Sequence, residues 1–137
     1  GRIWVASNVG LLRYQRGQWT RYGAAQGLRT DAVSHMAESP RGDLWIGYRD
    51  PAGISRAALE GDRLKFEHFD AASGLNSSRS YFLGFDAGGN LWNGTDQGVE
   101  ILTQEGPFGR SFRLMDQTSG LIWNDTNHDA FLADAQG

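Results

Sequence analysis

The 137-residue chain has no cysteine, which excludes a disulfide framework, a thiolate zinc site and a cysteine nucleophile. It has no run of Lys or Arg, and its net charge is −3, so it carries no electrostatic footprint for nucleic acid or for an anionic membrane surface. No apolar stretch approaches the ~20 residues that span a bilayer, and the opening "GRIWVASNVG" lacks the charged-then-apolar layout of a signal peptide. Any targeting segment is therefore expected outside this chain. Helical periodicity is missing too: Gly or Pro interrupts every apolar run within about ten residues, which disfavours helix throughout. Catalytic phrases are absent, with neither a Gly-x-Ser-x-Gly elbow nor a Gly-rich phosphate loop ending in Lys-Ser/Thr. His35, His68 and His128 stand on separate segments without metal-ligand spacing, so they are expected to pack, and no metal or cofactor is assigned.

What is present is glycine and aromatic side chain in quantity. Nineteen Gly with 12% aromatics imply many tight turns between short strands whose large side chains fill the interior, an all-β pattern. Three phrases share one design: "GRIWVASNVGL" from Gly1, "GDLWIGYRDPAGI" from Gly42 and "GNLWNGTDQGV" from Gly89. Each places a Trp three residues after a Gly and a second Gly six to eight residues after that Trp. Gly-Leu steps recur at Gly27-Leu28, Gly74-Leu75 and Gly120-Leu121, 47 and 46 residues apart, a period that suits propeller blades. One domain over 1–137 with repeat units of roughly 1–41, 42–88 and 89–137 follows.

In the middle unit, residues 32–39 and 44–48 predict a hairpin around Pro40-Arg41-Gly42. A third strand follows Pro51-Ala52-Gly53, and "KFEHF" places Phe66 and Phe69 where the first unit has Trp19 and Tyr22. Four antiparallel strands per unit are expected. A lone sheet of this kind cannot bury both faces, so neighbouring units must stack, with Trp4, Trp45 and Trp92 between them.

The three Trp phrases and their Gly-Leu steps resemble the two-component regulator propeller repeat, whose form is Gly-x-Leu-Trp-Ile-Gly-Thr-x-x-Gly-Leu. The resemblance covers essentially the whole chain. It implies a β-propeller segment of about three blade equivalents out of a larger, seven-bladed ring, in the extracytoplasmic (periplasmic) sensor part of a bacterial receptor whose output is a histidine kinase or diguanylate cyclase. Departures are local: Ser7 and Tyr48 stand where Thr is usual, Asn93 replaces the aliphatic residue after Trp92, and Pro51-Ala52 enlarges one turn. Because the sequence opens on one blade turn and reaches the equivalent turn at Gly137, residues 128–133 are expected as a strand able to complete the first blade. Closed rings usually need about 4 to 8 blades, so further blades or a homo-oligomer are expected as partners.

If the innermost strand follows each Gly-Leu step, the loops before it and the loops after the Trp strand share one rim. That rim gathers Arg29, Asp31, Asn76, Arg79, Trp123, Asn124 and Asp125 from the first set, and Tyr48, Arg49 and Asp96 from the second. Planar amides and carboxylates match hydroxyls and an indole covers an apolar ring face, which suits a small polar or carbohydrate ligand. A non-catalytic ligand-sensing module is the leading expectation, with a protein interaction or dimerisation scaffold as the alternative. A propeller enzyme would have to draw on Asp31, Asp96 and Asp125. The "RGD" at Arg41–Asp43 occupies the hairpin turn filled by Gly88–Asn90 in the next unit, and is taken as a turn.

Overall fold

The computed structural model describes residues 1–103 and 111–136. The chain is all-β, in three antiparallel sheets. The first contains β1 (Ile3–Ser7), β2 (Gly10–Gln15) and β3 (Gln18–Tyr22); the second contains β4 (Val33–Glu38), β5 (Leu44–Tyr48), β6 (Ile54–Glu60) and β7 (Arg63–Phe69). The third runs β8 (Phe82–Phe85), β9 (Leu91–Gly94), β10 (Val99–Thr103) and β11 (Ser111–Met115). Within each sheet consecutive strands are antiparallel neighbours, a meander. The turns at Gly42 and Gly89 fall inside the second and third sheets, so a sheet joins the end of one sequence unit to most of the next.

Register confirms the matched positions. Tyr22 pairs with Leu11 as Phe69 pairs with Ile54, and Trp19 pairs with Tyr14 as Phe66 pairs with Ala57. Gly10, Gly53 and Gly98 open β2, β6 and β10 at φ of 119°, 73° and 136°. A Cβ there would lie 2.3, 2.1 and 2.3 Å from the carbonyl oxygens of Tyr22, Phe69 and Met115, so this turn tolerates only glycine in every sheet.

Two features depart from expectation. Each last strand of a sheet leads into a 3₁₀ turn, at Ala24–Gln26, Ala71–Ser73 and Gln117–Ser119, so the chain is not strand and loop alone. The Asp70 and Asp116 carboxylates cap two of them by accepting from Ala72 N and from Thr118 N. Second, residues 128–133 do not form a strand and do not complete the first sheet, which has three strands where four were expected. Asp129 adopts φ 53° in a turn, its N–H donates to Tyr81 O, and Phe131 stacks on Phe82 at 5.5 Å. The segment thus lies on the face of the third sheet through its phenylalanine, and without a ladder partner its backbone has no reason to extend. Gly137 lies outside the described residues.

The sheets stack face to face. Between the first and second lie Leu11, Tyr22, Leu28, Val33, Leu44 and Ile46, with Trp4 half-buried against them. Between the second and third lie Trp45, Ile54, Phe69, Leu75, Leu83, Leu91 and Leu102. The Trp45 indole is 1% exposed and stacks on Phe69 at 5.1 Å. Trp92 is half-buried, donates Nε1–H to Asp86 at 2.8 Å and lies 6.4 Å from Phe131. Trp4 and Trp45 therefore sit on the faces between sheets, whereas Trp92 belongs to neither junction and lies by Phe131 of the segment that follows the third sheet. An ion pair adds to the first junction: the buried Arg13 guanidinium donates to Asp62 at 3.1 Å, while the Tyr22 hydroxyl donates to Asp62 O.

Candidate functional site

The loops entering β4 and β8 and the loops leaving β5 and β9 meet at one end of the stack. Arg49 N donates to Ala32 O at 2.9 Å, Gly53 N to Ser78 O at 2.8 Å, and Thr126 N to Thr95 O at 3.1 Å. The Ser77 hydroxyl donates to Asp96 Oδ1 at 2.5 Å. The Arg49–Ala32 and Ser77–Asp96 bonds join the two loop sets within one sheet and the Gly53–Ser78 bond crosses from the second sheet to the third, so both loop sets share a rim, as the strand directions require.

Most of the rim residues singled out in the sequence are engaged in building that rim. The Arg29 guanidinium pairs with Asp70 at 2.8 Å and holds that carboxyl below its usual range. Asp31 accepts from Ala24 N at 2.7 Å and from Arg21 at 3.0 Å. Asn76 N donates to Glu100, Asp96 accepts from Ser77, and Asn124 Oδ1 accepts from Gln117 N at 2.7 Å. Trp123 is 71% exposed, and neither it nor the exposed Asp125 is among the residues of the cleft that gathers three of the others. Three of the ten converge: Tyr48, Arg49 and Arg79 line one cleft of about 250 Å³, together with Ser34, Ser80, Tyr81 and His128. Tyr81 and His128 form its aromatic wall, ring centroids 4.6 Å apart. Arg49 and Arg79 are exposed, and neither guanidinium has an ion pair among the described residues.

Beneath this cleft runs a buried hydrogen-bonded relay absent from the sequence reading. His35 Nε2 lies 2.8 Å from Ser80 Oγ, which donates to Asn93 Oδ1 at 2.7 Å; Asn93 Nδ2 donates to Glu100 Oε2 at 3.0 Å, and Glu100 Oε1 accepts from Asn76 N. His35, Ser80, Asn93 and Glu100 are 7%, 3%, 1% and 0% exposed. The direction of every bond is fixed from the carboxylate end. Asn93 presents its amide nitrogen to Glu100 and so offers only its oxygen to Ser80. Ser80 must spend its single proton there and accept from His35. His35 is therefore the Nε2–H tautomer, and its buried Nδ1 has no partner among the described residues.

Burial shapes the titration of this chain at both ends. It lowers the His35 pKa to about 4, so the ring is neutral at physiological pH. It also raises Glu100, against the opposing effect of the N–H groups of Asn76 and Asn93 that favour the anion. With Nε2 protonated and the serine proton directed at Asn93, His35 cannot take a proton from Ser80, so this His–Ser pair is not an activated nucleophile. The other buried hydroxyl chain serves the second sheet: Arg29 N donates to Tyr48 Oη at 3.2 Å, Tyr48 contacts Ser55 Oγ at 2.8 Å, and Ser55 contacts His68 Nδ1 at 2.7 Å. Burial pushes the Tyr48 hydroxyl pKa up.

One signal for the relay was present in the sequence. Asn93 and Glu100 face each other across β9 and β10, at positions held by Ile46 and Ser55 in the second sheet. Two polar departures at paired inward positions mark a buried hydrogen bond. Among the described residues no group of three or more His, Asp or Glu is placed to hold a metal ion. The chain matches no protein-family model, and no curated protein matches it.

Proposed function

We propose that this chain is a segment of a β-propeller that binds a small polar or carbohydrate ligand at its loop rim, without catalysis. In this reading it serves as the extracytoplasmic sensor part of a bacterial signalling receptor and passes the signal to a separate output domain. One observation carries the binding site: Arg49 and Arg79, from different sheets and without ion pairs among the described residues, border the same cleft as Tyr81 and His128. The stacking of three like sheets through Trp4 and Trp45 supports the propeller architecture. The resemblance of the Trp phrases to two-component regulator propeller repeats supports the place in signalling.

Signalling by such a module requires a ligand that prefers one arrangement of neighbouring blades. The cleft suits this, because Arg49 belongs to the second sheet's loops, Arg79 to the loop entering the third, and His128 to the segment beyond it. A thermal-shift screen of the chain against neutral and charged monosaccharides, oligosaccharides and small metabolites tests the reading. A binder at a hundredfold excess over its Kd stabilises by about 2.7 kcal/mol. A screen without a stabilising compound overturns it. Exposed Ile3, Ile122, Trp123 and Leu132 favour a second reading as an interaction scaffold, which predicts a concentration-dependent mass in solution and no small-molecule hits.

A further inference from the structure

We infer that the rim cleft is selective for an anion, a monosaccharide-sized acid whose carboxylate lies between Arg49 and Arg79; this rests on the ligand-binding reading above. The chain as a whole is negative, at −3, yet no Asp or Glu among the described residues lines this cleft. The other rim arginines differ: Arg21 is paired with Asp31 at 3.0 Å and Arg29 with Asp70 at 2.8 Å. Two arginines lining one cleft with no carboxylate among its described residues concentrate positive charge there, and an oxyanion between them offsets that charge while accepting paired N–H bonds in the planar geometry that Arg offers.

The rest of the cleft sets size and shape. At about 250 Å³ it lies below the roughly 300–1,000 Å³ of sites for drug-sized ligands, so one sugar-sized molecule fills it. The Tyr81 and His128 rings, tilted at 51° to each other, give a wall for the apolar face of a pyranose, and Ser34 and Tyr81, which line the same space, bring hydroxyls to meet those of the sugar. Ser80 is a fixed part of the lining, because its hydroxyl proton is held by Asn93 and its oxygen accepts from His35. Ordering of these groups before binding reduces the loss of side-chain freedom when the ligand arrives.

Calorimetric titration of the full chain with glucuronate, glucose and inorganic phosphate at low and at moderate salt tests the assignment. Glucuronate binds, glucose binds about tenfold more weakly or worse, and added salt weakens glucuronate alone. The Arg49→Gln and Arg79→Gln changes alter exposed side chains, so folding is retained, which circular dichroism checks; each brings glucuronate down toward glucose. Equal affinity for glucose and glucuronate, or glucuronate affinity unchanged in the double variant, overturns the anion assignment while leaving a neutral-ligand site standing. Phosphate binding as tightly as glucuronate overturns the sugar-sized acid. Silence from all three probes overturns this inference; the broader ligand-binding reading then stands or falls on the thermal-shift screen.

Discussion

The imidazole of His35 lies directly over Gly47, so close that a Cβ added to Gly47 would sit 2.0 Å from His35 Nε2. Phe82 covers Gly94 in the third sheet with the same 2.0 Å clearance, and the matching residue in the first sheet, where no inner strand pairs with β1, is Ala6. Small residue and covering ring are thus one unit of design, which links the local choice of glycine to the seating of the inner strand.

Gly47→Ala is expected to destabilise the chain by about 1–3 kcal/mol or more, because His35 is held at Ser80 and cannot swing aside without breaking that bond. Urea unfolding of Gly47→Ala in the wild type and in a His35→Ala background measures the coupling. The substitution should lose most of its effect once the ring is gone. Equal effects in both backgrounds would show that the ring is not the obstacle.

His35 makes stability depend on pH in a defined window. Its pKa is about 4 in the folded chain and 6.5 unperturbed. Between these values the unfolded chain binds a proton that the folded chain refuses, so the stability present above pH 6.5 is lost as pH falls toward 4. The loss is about 3 kcal/mol. Asp129 raises and His128 lowers this pKa, but burial dominates. His35→Phe, which copies the Phe82 position, should flatten the unfolding free energy between pH 6.5 and 4, leaving a smaller slope from His68, whose pKa is also lowered by burial. An unaltered acid slope in His35→Phe would be incompatible with a neutral buried ring.

Glu100 sets the sense of the whole relay. Glu100→Ala strands the N–H of Asn76 and the amide of Asn93 and is expected to destabilise by about 3 kcal/mol. Glu100→Gln should be milder, because its amide can donate to Asn93 Oδ1 once that amide flips. Asn93 then donates to Ser80, Ser80 donates to His35 Nε2, and the imidazole changes to the Nδ1–H tautomer. Nitrogen-15 chemical shifts of the ring report the tautomer directly. A wild-type ring already protonated at Nδ1, or no change in Glu100→Gln, contradicts the assigned direction.

The strand content was legible because Trp4, Trp45 and Trp92 recur with their glycines at one spacing, and the inter-sheet placement of Trp4 and Trp45 follows from that recurrence. The 3₁₀ turns were less visible, since "GAAQGL", "DAASGL" and "DQTSGL" are too short for a helical period and announce themselves only through the cap at Asp70 and Asp116. Residues 128–133 were expected as a strand from their place in the repeat, yet strand formation depends on a partner edge, which repeat spacing does not encode. At the rim, residue type alone does not separate a turn-forming Asp31 or Asn124 from an Arg49 that has no ion pair among the described residues; the distinction lies in which groups already have partners.

The backbone N–H that follows the Gly-Leu step has different custodians after Leu28 and after Leu75. Tyr48 from β5 accepts from Arg29 N, leaning on Ser55, whereas Glu100 from β10 accepts from Asn76 N, leaning on Asn93. A chimera that transplants strands singly between the two sheets would leave this amide orphaned or doubly served, while one that moves Tyr48 with Ser55, or Asn93 with Glu100, would not. The smallest exchangeable part of this architecture is accordingly a pair of neighbouring strands together with the loop they anchor.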